Sequence, residues 1–193
     1  LICAPEQIFD DTAVWQALSQ RDSTLEGAAL RAEIVPLIQE AQQAGRKAIA
    51  AGFAESPFDA RAMTSSYTYL TDQLLRCVLQ IATLVLHPNP NPTEGERLAM
   101  IGVGGYGRGE MAPFSDVDLL FLIPYKATAW SESVIESMLY ILWDLKLKVG
   151  HATRTIEDCL RLGADDFTIQ TALLENRFID GDVTLAQELS ERL

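Results

Sequence analysis

Cysteine is scarce in this chain. Cys3, Cys77 and Cys159 are odd in number, far apart, and lack the close spacing of a zinc site or the density of a secreted disulfide scaffold. That pattern fits a reducing, cytoplasmic setting. Long apolar runs are missing as well. The most apolar segment, residues 74–86, is interrupted by Arg76 and Gln80, short of the roughly 18 unbroken apolar residues of a membrane span, so a soluble protein without a membrane partner is expected. Positive charge is in deficit: 15 Lys plus Arg face 27 Asp plus Glu among 193 residues, a formal net charge of −12. Such a surface repels phosphate backbones over the Debye length, which argues against broad nucleic-acid binding, and an anionic substrate then needs local help such as a metal ion. No internal repeat is evident, and low complexity is confined to the Pro/Asn stretch 87–92.

What is present is globular material: 48% of residues are hydrophobic and 22% charged, enough for one core domain with a helical extension. The chain starts at Leu1, and residues 184–193 read as a helix without a stop signal, so a fragment of a longer protein is expected. Leu30, Ile34, Leu37, Ile38 and Ala41 recur at helical spacing, which predicts a helix over 25–55, interrupted near Pro36 or Gly45. Tyr67, Leu70, Leu74, Leu75, Val78 and Ile81 predict a second over 59–86, ended by the prolines of 87–92. The period then changes. Residues 98–103, 116–123 and 148–155 read as strands, with a crossover helix over 130–146 and helices over 156–162 and 167–178. The class is α+β: a small mixed sheet preceded and followed by helices, divided into an extension over 1–58 and a core domain over 59–193.

The chemistry gathers behind the first strand. Gly102-Val103-Gly104-Gly105-Tyr106-Gly107 fits the GxGxxG pattern of a dinucleotide-binding turn. The spacing rejects that reading, because only residues 108–114, with Pro113 among them, precede Ser115, too few for a parallel crossover. A short helical turn is what fits. On the next strand Asp116 and Asp118 are two apart, so both carboxylates share a face about 6.6 Å apart along the backbone, while Val117, Leu119, Phe121 and Ile123 point to the other. The repulsion of such a pair is relieved by a hard divalent cation, naturally magnesium bridging to a phosphate. Side-chain-free turns let amides approach phosphate oxygens, and Arg108 could add a charged contact. Together these parts describe phosphoryl or nucleotidyl transfer. Plainer roles stand beside them: Asp116 capping a turn, Asp118 pairing with a basic residue, Glu110 closing the helical turn or pairing with Arg108, His151 packing on its strand, His87 facing solvent, and Tyr67, Tyr69 and Tyr140 in the core.

The run from Gly104 to Glu110 with Pro113, followed by Ser115-Asp116-Val117-Asp118-Leu119-Leu120-Phe121, resembles the N-terminal nucleotidyltransferase domain of bacterial PII uridylyltransferase/uridylyl-removing enzymes. The likeness continues through Leu142-Trp143-Asp144, Val149-Gly150-His151 with Arg154-Thr155, Thr171-Ala172-Leu173-Leu174-Glu175 with Arg177, and Gly181-Asp182. It covers residues 59–193, and the earlier helices match only in character. The resemblance implies a DNA polymerase β-like nucleotidyltransferase fold that moves UMP from UTP to a tyrosine of the PII signalling protein under glutamine control. It implies Asp116 and Asp118 as catalytic magnesium ligands, and Gly104, Gly105, Gly107, Arg108 and Ser115 at the nucleotide. The superfamily's third acid is not found on the 148–155 strand, which leaves Asp165, Asp166 and Glu175 as weak candidates. The family's HD phosphohydrolase and ACT sensing domains have no counterpart here, and with no His-Asp dipeptide present, uridylyl-removing activity is not expected. Two rivals stay open: a nucleotide-binding regulatory module with weak turnover, and a related transferase with another donor or acceptor.

Overall fold

The computed structural model describes residues 1–22 and 24–193. Helices α1 (Pro5–Ile8), α2 (Asp11–Ser19), α3 (Gly27–Glu55) and α4 (Ala60–Ile81) come first. Leu30, Ile34, Ile38 and Ile49 form the buried stripe of α3. That helix runs without a break through Pro36 and Gly45, contrary to the expected interruption. A proline removes one backbone bond, and the stripe packed on either side of Pro36 holds the helix together. Asp59 starts α4 by accepting from Ala62 N at 2.9 Å, and the helix ends in a π-turn, Ala82–Leu86. By length and composition Ala60–Leu86 could cross a membrane, yet 56% of its apolar window is buried inside the fold. It is packed as a core helix.

The sheet follows. Strand β1 (Ala99–Gly102) leads through a single helical turn, α5 (Gly104–Gly107), towards β2 (Val117–Leu122). Helix α6 (Ala129–Asp144) crosses over to β3 (Val149–Arg154), and α7 (Ile156–Asp165), α8 (Phe167–Leu174), β4 (Arg177–Gly181) and α9 (Val183–Arg192) complete the chain. The strand order is β3-β2-β1-β4. β1 lies antiparallel to β2 and β4, and β2 and β3 are parallel. This is the mixed α+β architecture expected from the sequence, with one correction. Residues 167–178 are not a single helix: α8 stops at Leu174, and Arg177–Gly181 pairs with β1, Phe178 opposite Ile101. The free edge of β1 supplies hydrogen bonds that the local pattern does not reveal.

Alternation along β2 divides the core in two. Val117, Leu119, Phe121 and Ile123 join Met100 and the helices α3, α4 and α6, whereas Leu120 and Leu122 join Ala99, Ile101 and residues of α7, α8 and α9. Burial pushes the Cys77 thiol up to about 12 and that of Cys159 to about 11, so both serve packing. Three side chains sit elsewhere than expected. His87 is half-buried, its Nε2 2.7 Å from Ser137 Oγ, and its carbonyl accepts from Trp130 Nε1 at 2.9 Å. Tyr140 is 41% exposed, set edge-on to Trp143 beneath the Arg31 guanidinium. His151 is exposed on β3. Tyr67 and Tyr69 do pack, partly buried, against the larger core.

Asp182 fastens the last helix. Its carboxylate accepts from Thr184 N and Leu185 N at 2.9 and 3.2 Å and pairs with Arg97 Nε at 2.6 Å. Hydrogen bonding to Arg97 holds this carboxyl well below the usual range. The folded value lies below the unfolded one, so the stabilisation is complete above about pH 4 and fades as the pH falls below it. Asp182→Ala is expected to cost about 1–2 kcal/mol at neutral pH, and the gap from wild type should narrow at pH 3, as read by urea unfolding.

Candidate active site

The glycine run becomes a turn because its backbone must do what side chains forbid. Gly104 has φ +57, the left-handed region that glycine enters without a Cβ penalty. A Cβ on Gly107 would lie 1.7 Å from the Glu175 carbonyl oxygen, so α5 rests directly on the chain between α8 and β4. Gly107 N donates to Val103 O at 3.1 Å and Arg108 N to Gly104 O at 3.2 Å. The amides of Gly104, Gly105 and Tyr106 therefore precede the first intrahelical bond. Val103 N donates to Asp118 O at 3.0 Å, which seats the turn beside the start of β2.

A buried clamp holds the turn from beneath. The Tyr106 hydroxyl donates to Asp72 Oδ1, and Arg177 spans both Asp72 oxygens, Nη1 to Oδ2 at 2.6 Å and Nη2 to Oδ1 at 3.1 Å. Arg177 also reaches the carbonyls of Tyr106 and Gly107, and its guanidinium lies 5.1 Å from the Tyr106 ring centroid. Burial, reinforced by the Asp72 charge, raises the Tyr106 phenol well above its ordinary value. Sequence reasoning passed over Asp72. The one available signal was an acidic residue on the apolar face of a core helix.

The two site carboxylates lie at the mouth of this turn. Asp118 is on β2, and Asp116 sits one residue before the strand starts. Burial first, and the Asp116 charge second, raise the Asp118 carboxyl. Asp118 pairs in register with Gly150 of β3. A Cβ on Gly150 would fall 2.5 Å from Asp118 Oδ1, and one on Gly104 3.8 Å from Oδ2. The carboxylate thus occupies a cradle between two glycines and has no hydrogen-bond or ion-pair partner among the described residues. Asp116 is more open, with Lys148 Nζ 3.9 Å from its Oδ1. Two exposed carboxylates, the Asp118 carboxyl raised by partial burial and by the charge of Asp116, suit a hard divalent cation.

The remaining expected residues divide. Gly105 is exposed, 3.6 Å from Arg108 Nη2 for a built Cβ, and Gly107 is buried. Arg108 Nη1 binds Glu175 Oε2 at 2.6 Å, so its partner is Glu175 and not Glu110, which is exposed. Ser115 lines a separate crevice with Arg46, Tyr67, Phe114 and Lys148. Of the weak candidates for a third acid, Asp166 caps α8 through Thr168 N and Ile169 N, Glu175 is engaged by Arg108, and Asp165 is exposed. Among the described residues no three His, Cys, Asp or Glu side chains converge as metal ligands. A cleft of about 270 Å³ opens beside Asp118 and Gly104, between the β2–β3 surface and α8.

No family model matches the chain. Curated proteins match it closely. The bifunctional uridylyltransferase/uridylyl-removing enzyme of Ruegeria pomeroyi is 58% identical over 187 residues, 96% of this chain and 21% of that protein. The enzyme of the same name from Cereibacter sphaeroides is 51% identical over 196 residues, 100% of the chain and 21% of that protein. That of Caulobacter vibrioides is 46% identical over 189 residues, 97% of the chain and 20% of that protein. The chain spans about a fifth of the length of these relatives, and over that fifth it belongs to the family of bifunctional uridylyltransferase/uridylyl-removing enzymes.

Proposed function

We propose that this chain is a nucleotidyltransferase unit that moves UMP from UTP to a tyrosine of the PII signalling protein, in the cytoplasm. The observation that carries the reading is the Asp118 carboxylate, without a partner among the described residues and held between Gly104 and Gly150 beside a clamped glycine turn. The relatives' shared name supports a uridylyl donor. Asp116 and Asp118 would hold magnesium, which when bound neutralises phosphate charge and aligns the leaving pyrophosphate. Gly104 and Gly105 offer free amides to the triphosphate, Arg108 stands at their edge, and Gly107 and Ser115 support the turn and its return to β2. The clamp keeps these amides fixed while the acceptor hydroxyl approaches.

One observation favours a second reading. With no third acid beside the pair among the described residues, the chain could bind nucleotide as a regulatory module with weak turnover. The deciding experiment offers labelled UTP, and ATP in parallel, to the chain with purified PII, with and without magnesium. Magnesium-dependent label on PII from UTP is the expected result. Magnesium-dependent UTP binding without transfer would favour the module, and preference for ATP would sink the uridylyl assignment.

A further inference from the structure

The cleft beside Asp118 has a polar mouth and apolar walls. Leu120 and Ala152 of the sheet face Ile169, Ala172 and Leu173 of α8. Among the described lining residues Arg154 is the one arginine or lysine, and His151 lines the cleft as well. The parallel register sets Gly150 beside Asp118, Ala152 beside Leu120 and Arg154 beside Leu122, so Arg154 shares the Asp118 side of the sheet. Four residues of strand separate Gly150 from Arg154, about 13 Å, which is close to the reach of an extended nucleotide from its α-phosphate to the far edge of its base. Arg97, Arg108, Arg161, Arg177 and Arg192 each meet a carboxylate. Arg154, half-buried as a residue, meets none among the described residues; Arg21, Arg31, Arg46, Arg61 and Arg76 are also without a carboxylate there, and none of those five lines this cleft.

Resting on the reading of Asp116 and Asp118 as a nucleotidyl-transfer centre, we infer that Arg154 selects the nucleobase. The flat ring enters between sheet and α8, and the guanidinium donates to a ring carbonyl at the far end. Arginine has donors and no acceptor. It therefore satisfies the O4 carbonyl of uracil and is repelled by the amino group that cytosine carries in the same place. Thr168, an exposed residue, also lines the cleft. The apolar walls give the ring its affinity, and Arg154 gives it a direction.

The test is equilibrium binding of UTP and of CTP, with magnesium, to the wild-type chain and to Arg154→Met, Arg154→Gln and Arg154→Lys. Wild type should prefer UTP. Arg154→Met should weaken UTP about tenfold or more while changing CTP much less, and Arg154→Lys should restore part of the loss. Arg154→Gln, able both to donate and to accept, should bring the two affinities close together, and it carries the test should the methionine variant melt early. Parallel losses for UTP and CTP, or an unchanged preference in every variant, would overturn the role of Arg154 and leave the transfer centre intact. If the wild-type chain binds neither nucleotide in magnesium, the transfer-centre reading itself falls.

Discussion

Asp118→Asn should abolish nucleotidyl transfer and leave the melting temperature at or above that of wild type. The two halves of this result share one cause. Asp118 has its carboxyl raised by burial and then by Asp116, so its folded value lies above its unfolded one and ionisation costs stability as the pH rises through the carboxylate range. Asparagine keeps the shape, removes the repulsion, and removes the charge that a cation needs. Magnesium should therefore raise the melting temperature of the wild type and not that of the variant, since a ligand stabilises only the fold that binds it. Gly150→Ala makes the same point by geometry. Its Cβ would fall 2.5 Å from Asp118 Oδ1, and the carboxylate must swing out of its cradle. Melting should stay near wild type while transfer and the magnesium shift are lost. Substantial activity in Asp118→Asn would show that Asp118 is not a metal ligand, and in Gly150→Ala that the cradle does not fix the carboxylate.

Arg177→Met is expected to cost about 3–5 kcal/mol in urea unfolding, because it strands the Asp72 carboxylate in the core. The Asp72 side chain is only 12% exposed, and Arg177 supplies both of its charged contacts. The loss reaches beyond the pair, since the same guanidinium holds the carbonyls of Tyr106 and Gly107. The turn amides should lose their fixed positions. Adding Asp72→Leu to Arg177→Met should recover much of the stability, because the uncompensated charge is then gone, and it should not recover nucleotide binding. Recovery of both would mean that the clamp stabilises the core without positioning the turn.

Much of this arrangement was legible in the sequence, and the exceptions have physical reasons. The alternation in Val117-Asp118-Leu119-Leu120-Phe121 placed the acid on one face and three apolar side chains on the other, because period two follows from strand geometry alone. The GxGxxG match was correctly rejected on spacing, and a one-turn helix stands where a crossover could not fit. Strand β4 was missed. Its five residues bury a single side chain fully, Ile179, too little pattern to separate it from the end of α8, and its strand character comes from pairing with β1. The crossover helix over 130–146 is present as α6, but Tyr140, expected in the core, lies at the surface, edge-on to Trp143 and beneath Arg31. The cradle was invisible for another reason. That Gly150 stands opposite Asp118 depends on the register of two parallel strands joined by a helix, and no local signal fixes that register.

The clamp also has an order in time. Asp72 lies in α4, and its partner Arg177 opens β4, roughly 100 residues later in a chain that emerges from the ribosome N-terminus first. During synthesis α3 and α4 can pack on each other early, since they are neighbours in sequence. The carboxylate of Asp72 then waits, unpaired and water-exposed, for the edge strand that will cover it. The glycine turn is locked only when that strand arrives, so on this order the helices of a nascent chain form well before the turn and its Asp118 cradle are fixed.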